Sequence, residues 1–291
     1  MLIADGHWSV GAHAMHTTVV LDRRCRAHYA RRSGLVFDSR FCARLPASDR
    51  VTLMMSTEGQ FQPADADVVS EPSLWSLTDG ELEGVPPSAR TLRSWGEPAV
   101  VVSLWLDRDL VRVPVGLDEG PRPLSPAVRA AIPRLHGGDD PPGDRDAQRR
   151  AYLAILEALT EEEVIARDVL DESEVDEPAQ LERLWSALAE LYAKQDTGTT
   201  IDLLSVLAAT SPRQIYRDAR ELLERFELAG SFRQHVRVLR LRRAAMLLSA
   251  PTLSIDEVAR TVGYGGSDAM ARAFRDAGLP APSVIRAALA V

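Results

Sequence analysis

Leu253-Ser254-Ile255-Asp256-Glu257-Val258-Ala259-Arg260-Thr261-Val262, then Gly263-Tyr264-Gly265-Gly266, then Ser267-Asp268-Ala269-Met270-Ala271-Arg272-Ala273-Phe274-Arg275, is the stretch that decides the fold of the C-terminal third. Ser254 is a natural N-cap, and Glu257 three residues on completes a capping box, each side chain satisfying an amide that the helix start leaves open. The pattern predicts a short helix over 255–262. Gly263 accepts the left-handed backbone of a sharp turn. A second helix then starts at Ser267 or Asp268 and runs to about residue 277. Short helix, three- or four-residue turn and second helix make a helix-turn-helix, in which the first helix braces the second and the N-terminal half of the second enters the major groove.

The same pattern occurs upstream. Thr200 caps a predicted helix over 201–208, Ala209-Thr210-Ser211 forms the turn, and Pro212 sits at the first position of the next helix, where its missing N–H is harmless. Ala209 lacks the conformational freedom of Gly263, so this turn fits the motif less well. Between the two units, Ser231 opens a long helix to Leu248 with Phe232, Val236, Leu239 and Leu247 on its apolar side. The candidate base readers are Ser211, Arg213, Gln214, Tyr216 and Arg217 in the first unit, and Ser267, Asp268, Ala271, Arg272 and Arg275 in the second. Arginine pairs bidentately with guanine and glutamine with adenine. Helix N-terminal amides can also hold a phosphate. Arg233, Arg237, Arg240, Arg242 and Arg243 on the connecting helix could neutralise phosphates between the grooves. A plain helical domain with solvated arginines is the competing reading, and the duplication of the pattern argues against it.

In order and spacing, residues 190–286 resemble the AraC/XylS family of bacterial transcription regulators. Ser211-Pro212-Arg213-Gln214-Ile215-Tyr216-Arg217 and Arg240-Leu241-Arg242-Arg243-Ala244-Ala245-Met246-Leu247-Leu248 carry the resemblance, together with 253–259, Gly263-Tyr264 and 271–275. The resemblance implies two recognition helices placed in successive major-groove segments on one face of double-stranded DNA, with the helix at 231–248 setting their separation. It also implies an N-terminal cupin-like domain that binds a small-molecule effector or a protein partner, or forms a homodimer, and RNA polymerase as a partner. This chain departs from the family at Met270, where an aromatic residue is usual, and at Ala209, where a glycine is. Its Gly278-Leu279-Pro280-Ala281-Pro282 is a shifted form of the usual ending.

Outward from there, 291 residues are enough for two domains. The expected class is α+β multidomain. A β-rich, cupin-like or jelly-roll domain is expected over 1–122, a helical connector and acidic linker over 123–178, and an all-α double helix-turn-helix domain over 179–291. Runs at 51–55, 99–106 and 111–115 read as short strands, separated by turns such as 58–60, 78–80 and 84–87. Ser125-Pro126 opens a helical stretch to about Leu135, and a breaker-dense loop follows over 137–143. Residues 147–159 and 181–193 carry apolar stripes at helical spacing, the second ending near 196–198, and one or both helices could dimerise the protein or dock its domains. Nine carboxylates within 161–177 read as a solvated face or a flexible connector.

The net charge of −8 conceals an asymmetry: residues 1–178 carry −11 and 179–291 carry +3. An acidic module thus joins one able to meet a polyanion. No apolar run is long enough to span a bilayer and no basic-then-apolar leader opens the chain, so a cytoplasmic protein without a membrane partner is expected. Cys25 and Cys42 cannot build a disulfide framework or a four-thiolate zinc site. His7, His13 and His16 invite a metal, but no cupin metal motif surrounds them, so no metal and no cofactor are expected. Trp75, Trp95 and Trp105 read as core. No phosphate loop or nucleophile elbow is present. A regulator, not an enzyme, is the leading expectation. A cupin-type metalloenzyme and a protein-binding module that has lost its DNA affinity are the alternatives.

Overall fold

The computed structural model describes residues 1–43, 50–63, 67–78, 92–115, 120–136, 144–171, 173, 176–193, 200–226, 228 and 230–290, the side chains of 189–193 excepted. The turns expected at 79–80 and 84–87, the loop at 137–143 and the helix end at 196–198 lie outside the described residues.

Among the described residues, the N-terminal half is an eight-stranded antiparallel sheet of β1 (Leu2–Val10), β2 (His13–Leu21), β3 (Cys25–Ser33), β4 (Phe37–Asp38), β5 (Arg50–Pro63), β6 (Ser73–Thr78), β7 (Leu92–Asp107) and β8 (Arg122–Pro123). The spatial order is β1-β2-β3-β7-β5-β6-β8, with β4 on β7. The strands are longer than the sequence suggested, 14 residues in β5 and 16 in β7. β1 to β3 were not singled out at all. The sheet is buried on both faces, so these strands do not alternate cleanly between apolar and polar residues, and the period-two signal is lost. Residues 111–115, expected as a strand, are not one. A 3-10 turn at Arg108–Leu110 precedes them, and Val111 makes only an isolated bridge to Ile165. Pro114 has no amide to extend that pairing.

β5 and β7 bend together at register shifts between Ser56, Glu58 and Gln60. Gly59 (φ +94) and Gly96 (φ +145) meet at this bend, and a Cβ on Gly59 would lie 2.7 Å from the Trp95 carbonyl. Bending two long paired strands at one point thus requires glycine at the crossing.

Register assigns the two faces. Thr18, Ala27, Tyr29, Leu53, Met55, Val102 and Leu104 share one face, against which pack α1 (Pro126–Leu135) and α2 (Arg145–Glu161). Ser125 caps α1 as expected, its hydroxyl accepting from the Val128 amide. Val128, Ile132, Leu135, Tyr152, Ile155, Leu156 and Leu159 are wholly or almost wholly buried there. The acidic stretch keeps most of its described carboxylates in solvent, as a solvated face, but it is not a free connector. Val164, Ile165, Ala166 and Val169, the last in α3 (Asp168–Asp171), belong to the same core. The apolar residues between the carboxylates take the chain back under the sheet, which charge counting overlooks.

The opposite face carries the C-terminal helices in two groups. α4 (Ala179–Ala193), α5 (Ile201–Leu207) and α6 (Pro212–Arg225) share a core with Leu2 and Leu21. α7 (Phe232–Leu247), α8 (Ile255–Thr261), α9 (Ser267–Arg275) and α10 (Pro282–Leu289) share one with Trp8, Met15, Ala30 and Leu35. The sheet is thus the middle layer of three. The apolar stripes of α2 and α4 are used within the chain, α2 under the sheet and α4 between β1 and α6. α10, which the sequence reading passed over, starts with Pro282 at its first position.

Candidate nucleic-acid interface

Both helix-turn-helix units form. In the first, the Thr200 hydroxyl accepts from the Leu203 amide at 3.1 Å and the Ser211 hydroxyl from the Gln214 amide at 3.2 Å, so each helix begins on a side-chain cap. Leu204, Ile215, Ala219, Leu222 and Phe226 lock the pair together. The turn residue Ala209 adopts φ +48, the left-handed region that a Cβ disfavours. The motif is therefore kept without its usual glycine, at the cost of local strain.

α6 presents Ser211, Arg213, Tyr216 and Arg217 to solvent, Tyr216 being 63% exposed despite its ring. Gln214 is used otherwise: its amide donates to Asp218 Oδ1 at 2.6 Å, which ties it down beside a buried carboxylate. A free adenine reader at that position is therefore not what this geometry offers.

In the second unit the capping box is complete, with Glu257 N to Ser254 Oγ at 3.1 Å and Ser254 N to Glu257 Oε2 at 2.7 Å. These bonds hold the Glu257 carboxyl below its ordinary range. Gly263 takes the turn at φ +83. The next helix starts without a cap of its own: the Ser267 amide donates to Asp256 Oδ1 at 3.2 Å, from α8, and Asp256 also pairs with Arg260. Asp256 is the structural residue that the sequence reading missed, because no local pattern announces a cap lying 11 positions away. Met270 and Phe274 are fully buried beside Val258 and Val262, so Met270 fills the core of the second unit. Asp268, Arg272 and Arg275 are exposed, while Ser267 and Ala271 are half-buried.

The connecting helix differs from expectation. Arg233 is exposed. Arg237 donates to the Ala273 carbonyl at 3.1 Å and pairs with Asp276 at 3.5 Å, bracing α7 against α9. Arg240 is half-buried. Arg242 donates to the Ala43 carbonyl at 2.9 Å, and Arg243 is 7% exposed with its guanidinium 5.0 Å from the Trp8 ring centroid. Both are therefore drawn toward the sheet; Arg243, buried there, is not open to a phosphate, and Arg242 is half-buried with its Nε engaged. Helical spacing puts 238, 241 and 245 on the buried side, and their neighbours 242 and 243 turn with them.

The histidines do not form one cluster. His13 bonds to the Gly34 carbonyl at 2.7 Å and to Thr252 Oγ1 at 3.0 Å, linking the sheet to the second unit. His16 points to the other face and stacks on His136 with centroids 4.0 Å apart. Trp75 is buried on the sheet, stacked on Phe61, while Trp95 and Trp105 are half-buried.

Residues 204–288 match a family model described as a helix-turn-helix domain. No match to a curated protein sequence was found. Among solved structures, the chain is similar to ToxT from Vibrio cholerae at 9% identity, over 90% of this chain and 98% of that one, with a TM-score of 0.35. It is also similar to the AraC-like transcriptional activator CuxR at 14% identity, over 82% of this chain and 79% of that one, with a TM-score of 0.19. Superpositions that loose place no ligand or partner on this protein.

Proposed function

We infer, from a chain whose residues 204–288 are a helix-turn-helix domain of the AraC type, that the protein is a sequence-specific DNA-binding transcription regulator acting in the cytoplasm. The observation that carries this is the pair of capped units, each offering exposed side chains from the first turns of its second helix. Arg213, Tyr216 and Arg217 read bases from α6, and Ser211 with the α6 amides holds a phosphate. Arg272 and Arg275 contact DNA from α9, and Asp268 accepts from a cytosine amino group. Ser267 and Ala271 lie at the edge of that contact. Arg233 and Arg240 neutralise backbone between the two grooves.

We further propose that the sheet, with α1 to α3, is the sensory half, which takes a small-molecule effector and contributes to a homodimer, and that the regulator works through RNA polymerase. Among the described residues no helix is long and apolar enough to cross a membrane. The test is selection from a random duplex library with purified full-length protein. A reproducible enriched sequence is expected, and its affinity should fall steeply with salt as counterions are released. Enrichment of no sequence would contradict the reading.

A further inference from the structure

A cleft of about 150 Å³ opens between α2 and α4, with Ile3 of β1 in its lining. Its two helical walls carry different chemistry. From α2 come Arg145 and Arg149, four positions apart and so on one stripe, with Asp146 beside them. From α4 come Glu182, Trp185 and Ser186, which helical spacing also puts on one stripe. Arg145 spans the opening, its Nη2 donating to Ser186 Oγ at 3.0 Å. Arg149 Nη1 donates to Asp176 Oδ1 at 3.1 Å.

Much of this lining stands idle. The Trp185 indole N–H is buried with no acceptor among the described residues, although a buried tryptophan usually finds one. A donor held out of water without an acceptor is costly. Asp146 and Glu182 present the opposite want: both are exposed carboxylates, and among the described residues neither is in an ion pair. Arg145 commits one N–H to Ser186, where a guanidinium has five. The cleft therefore offers a cation and an indole N–H to an oxyanion, and separate carboxylates to an ammonium.

We propose that this cleft binds a small zwitterion of the α-amino acid class, whose carboxylate takes Arg145 and the Trp185 N–H and whose ammonium takes Asp146 and Glu182. A cavity of this volume holds a molecule about the size of benzene, so an amino acid with a short side chain fits and a drug-sized ligand does not. Ile3 favours an apolar side chain. The ligand joins α2, seated under the sheet, to α4, whose Leu181, Leu184 and Leu188 share a core with Ile215, Ala219 and Leu222 of α6. It therefore bears on the seat of the first recognition helix and not on the separate core of α8 to α10. The proposal rests on the reading of the N-terminal half as effector-binding, and it names the class of effector and the place where it acts.

Calorimetric titration of the full chain, without DNA, tests it. The probes are the twenty common L-amino acids, one at a time, with propylamine and propionate as carriers of a single charge. At least one short apolar amino acid should bind saturably, and neither single-charge control should. Arg145→Gln, Glu182→Gln and Trp185→Phe should each weaken that binding at least tenfold. The first two positions are exposed and the third keeps a ring, so all three variants should melt with the parent. With the amino acid bound, hydrogen exchange should slow in α4 to α6 and not in α8 to α10. Saturable binding by no amino acid would overturn the proposal. Binding that is unchanged in all three variants would also overturn it, while leaving the N-terminal half an effector-binding unit with its site elsewhere. Since no DNA is present, a failure to select a DNA sequence leaves this result standing, and the converse also holds.

Discussion

The two helix-turn-helix units are built to one plan but held in different ways. The second turns on Gly263 and opens on a complete capping box, whereas the first turns on Ala209 in the left-handed region and opens on single hydroxyl caps. The first adds charge to its apolar contact with Leu2 and Leu21. Glu177, 7% exposed, receives Arg225 from the end of α6 and, at 3.4 Å, Arg23 from the turn between β2 and β3. The second is fastened by a wide apolar contact with Trp8, Met15, Ala30 and Leu35 and by neutral bonds, Val36 N to Ser249 Oγ at 2.9 Å among them. The exposed faces differ as well. Arginine and tyrosine occupy the first recognition helix, while an aspartate precedes the arginines of the second. The lesson is that a local motif repeats in sequence because its internal geometry is demanding, while its attachment to the rest of the molecule is free to vary.

Glu177→Gln should separate the two attachments most strongly. It leaves two guanidinium groups and the Met1 ammonium facing a neutral amide, and since both guanidinium groups are partly exposed we expect about 3 kcal/mol of lost stability, the low end for breaking a buried pair. Urea unfolding would measure it, and hydrogen exchange should show the loss in α4 to α6 and not in α8 to α10. A uniform loss would erase the distinction drawn here. Arg217→Ala should cost about 1–3 kcal/mol of specific affinity and relax one base pair of the selected site. Arg272→Ala should do less, because Asp268 weakens the anion attraction of its helix start. Equal effects would make the two recognition helices equivalent.

The turns give a reciprocal pair. Ala209→Gly should stabilise by about 1 kcal/mol through relief of the left-handed strain, and Gly263→Ala should destabilise by a similar amount. Melting temperatures moving the same way in both variants would contradict the assignment. The smallest effect is with pH. His28 lies beneath α7, and burial, with Arg242 and Arg32 next to it, keeps it neutral in the folded chain down to about 4. The unfolded chain protonates near 6.5 and so binds more protons, which means stability is lost as pH falls from about 6.5 toward 4. Denaturant midpoints across that range should fall, and His28→Gln should flatten the slope.

The C-terminal third was legible because capping residues and turn residues act over three or four positions, and the sequence displays them directly. The starts of α1, α5, α6, α7 and α8 were all visible as a serine or threonine before a periodic run. The N-terminal half was legible only as β-rich. Its strands are covered on both faces, so apolar residues such as Val19 and Val20 stand side by side and register leaves no trace. The exposed candidate residues Arg213, Tyr216, Arg217, Arg272 and Arg275 could be named from helical phase. That Gln214 is tied to Asp218 four positions on is a local helical pair that the spacing does display. That Arg242 and Arg243 turn toward the sheet depended on partners up to 235 residues away in the chain, as with Trp8. Tertiary contacts at that distance have no local signature.

The central claim is that both units read one DNA face together. Hydroxyl-radical footprinting and guanine methylation interference on the selected sequence test it most directly. The account predicts two protected major-groove segments about 34 Å apart on the same face, one helical turn. It also predicts that Arg217→Ala removes interference in one segment and Arg272→Ala in the other. A single protected segment, or two that both depend on the same arginine, would contradict it.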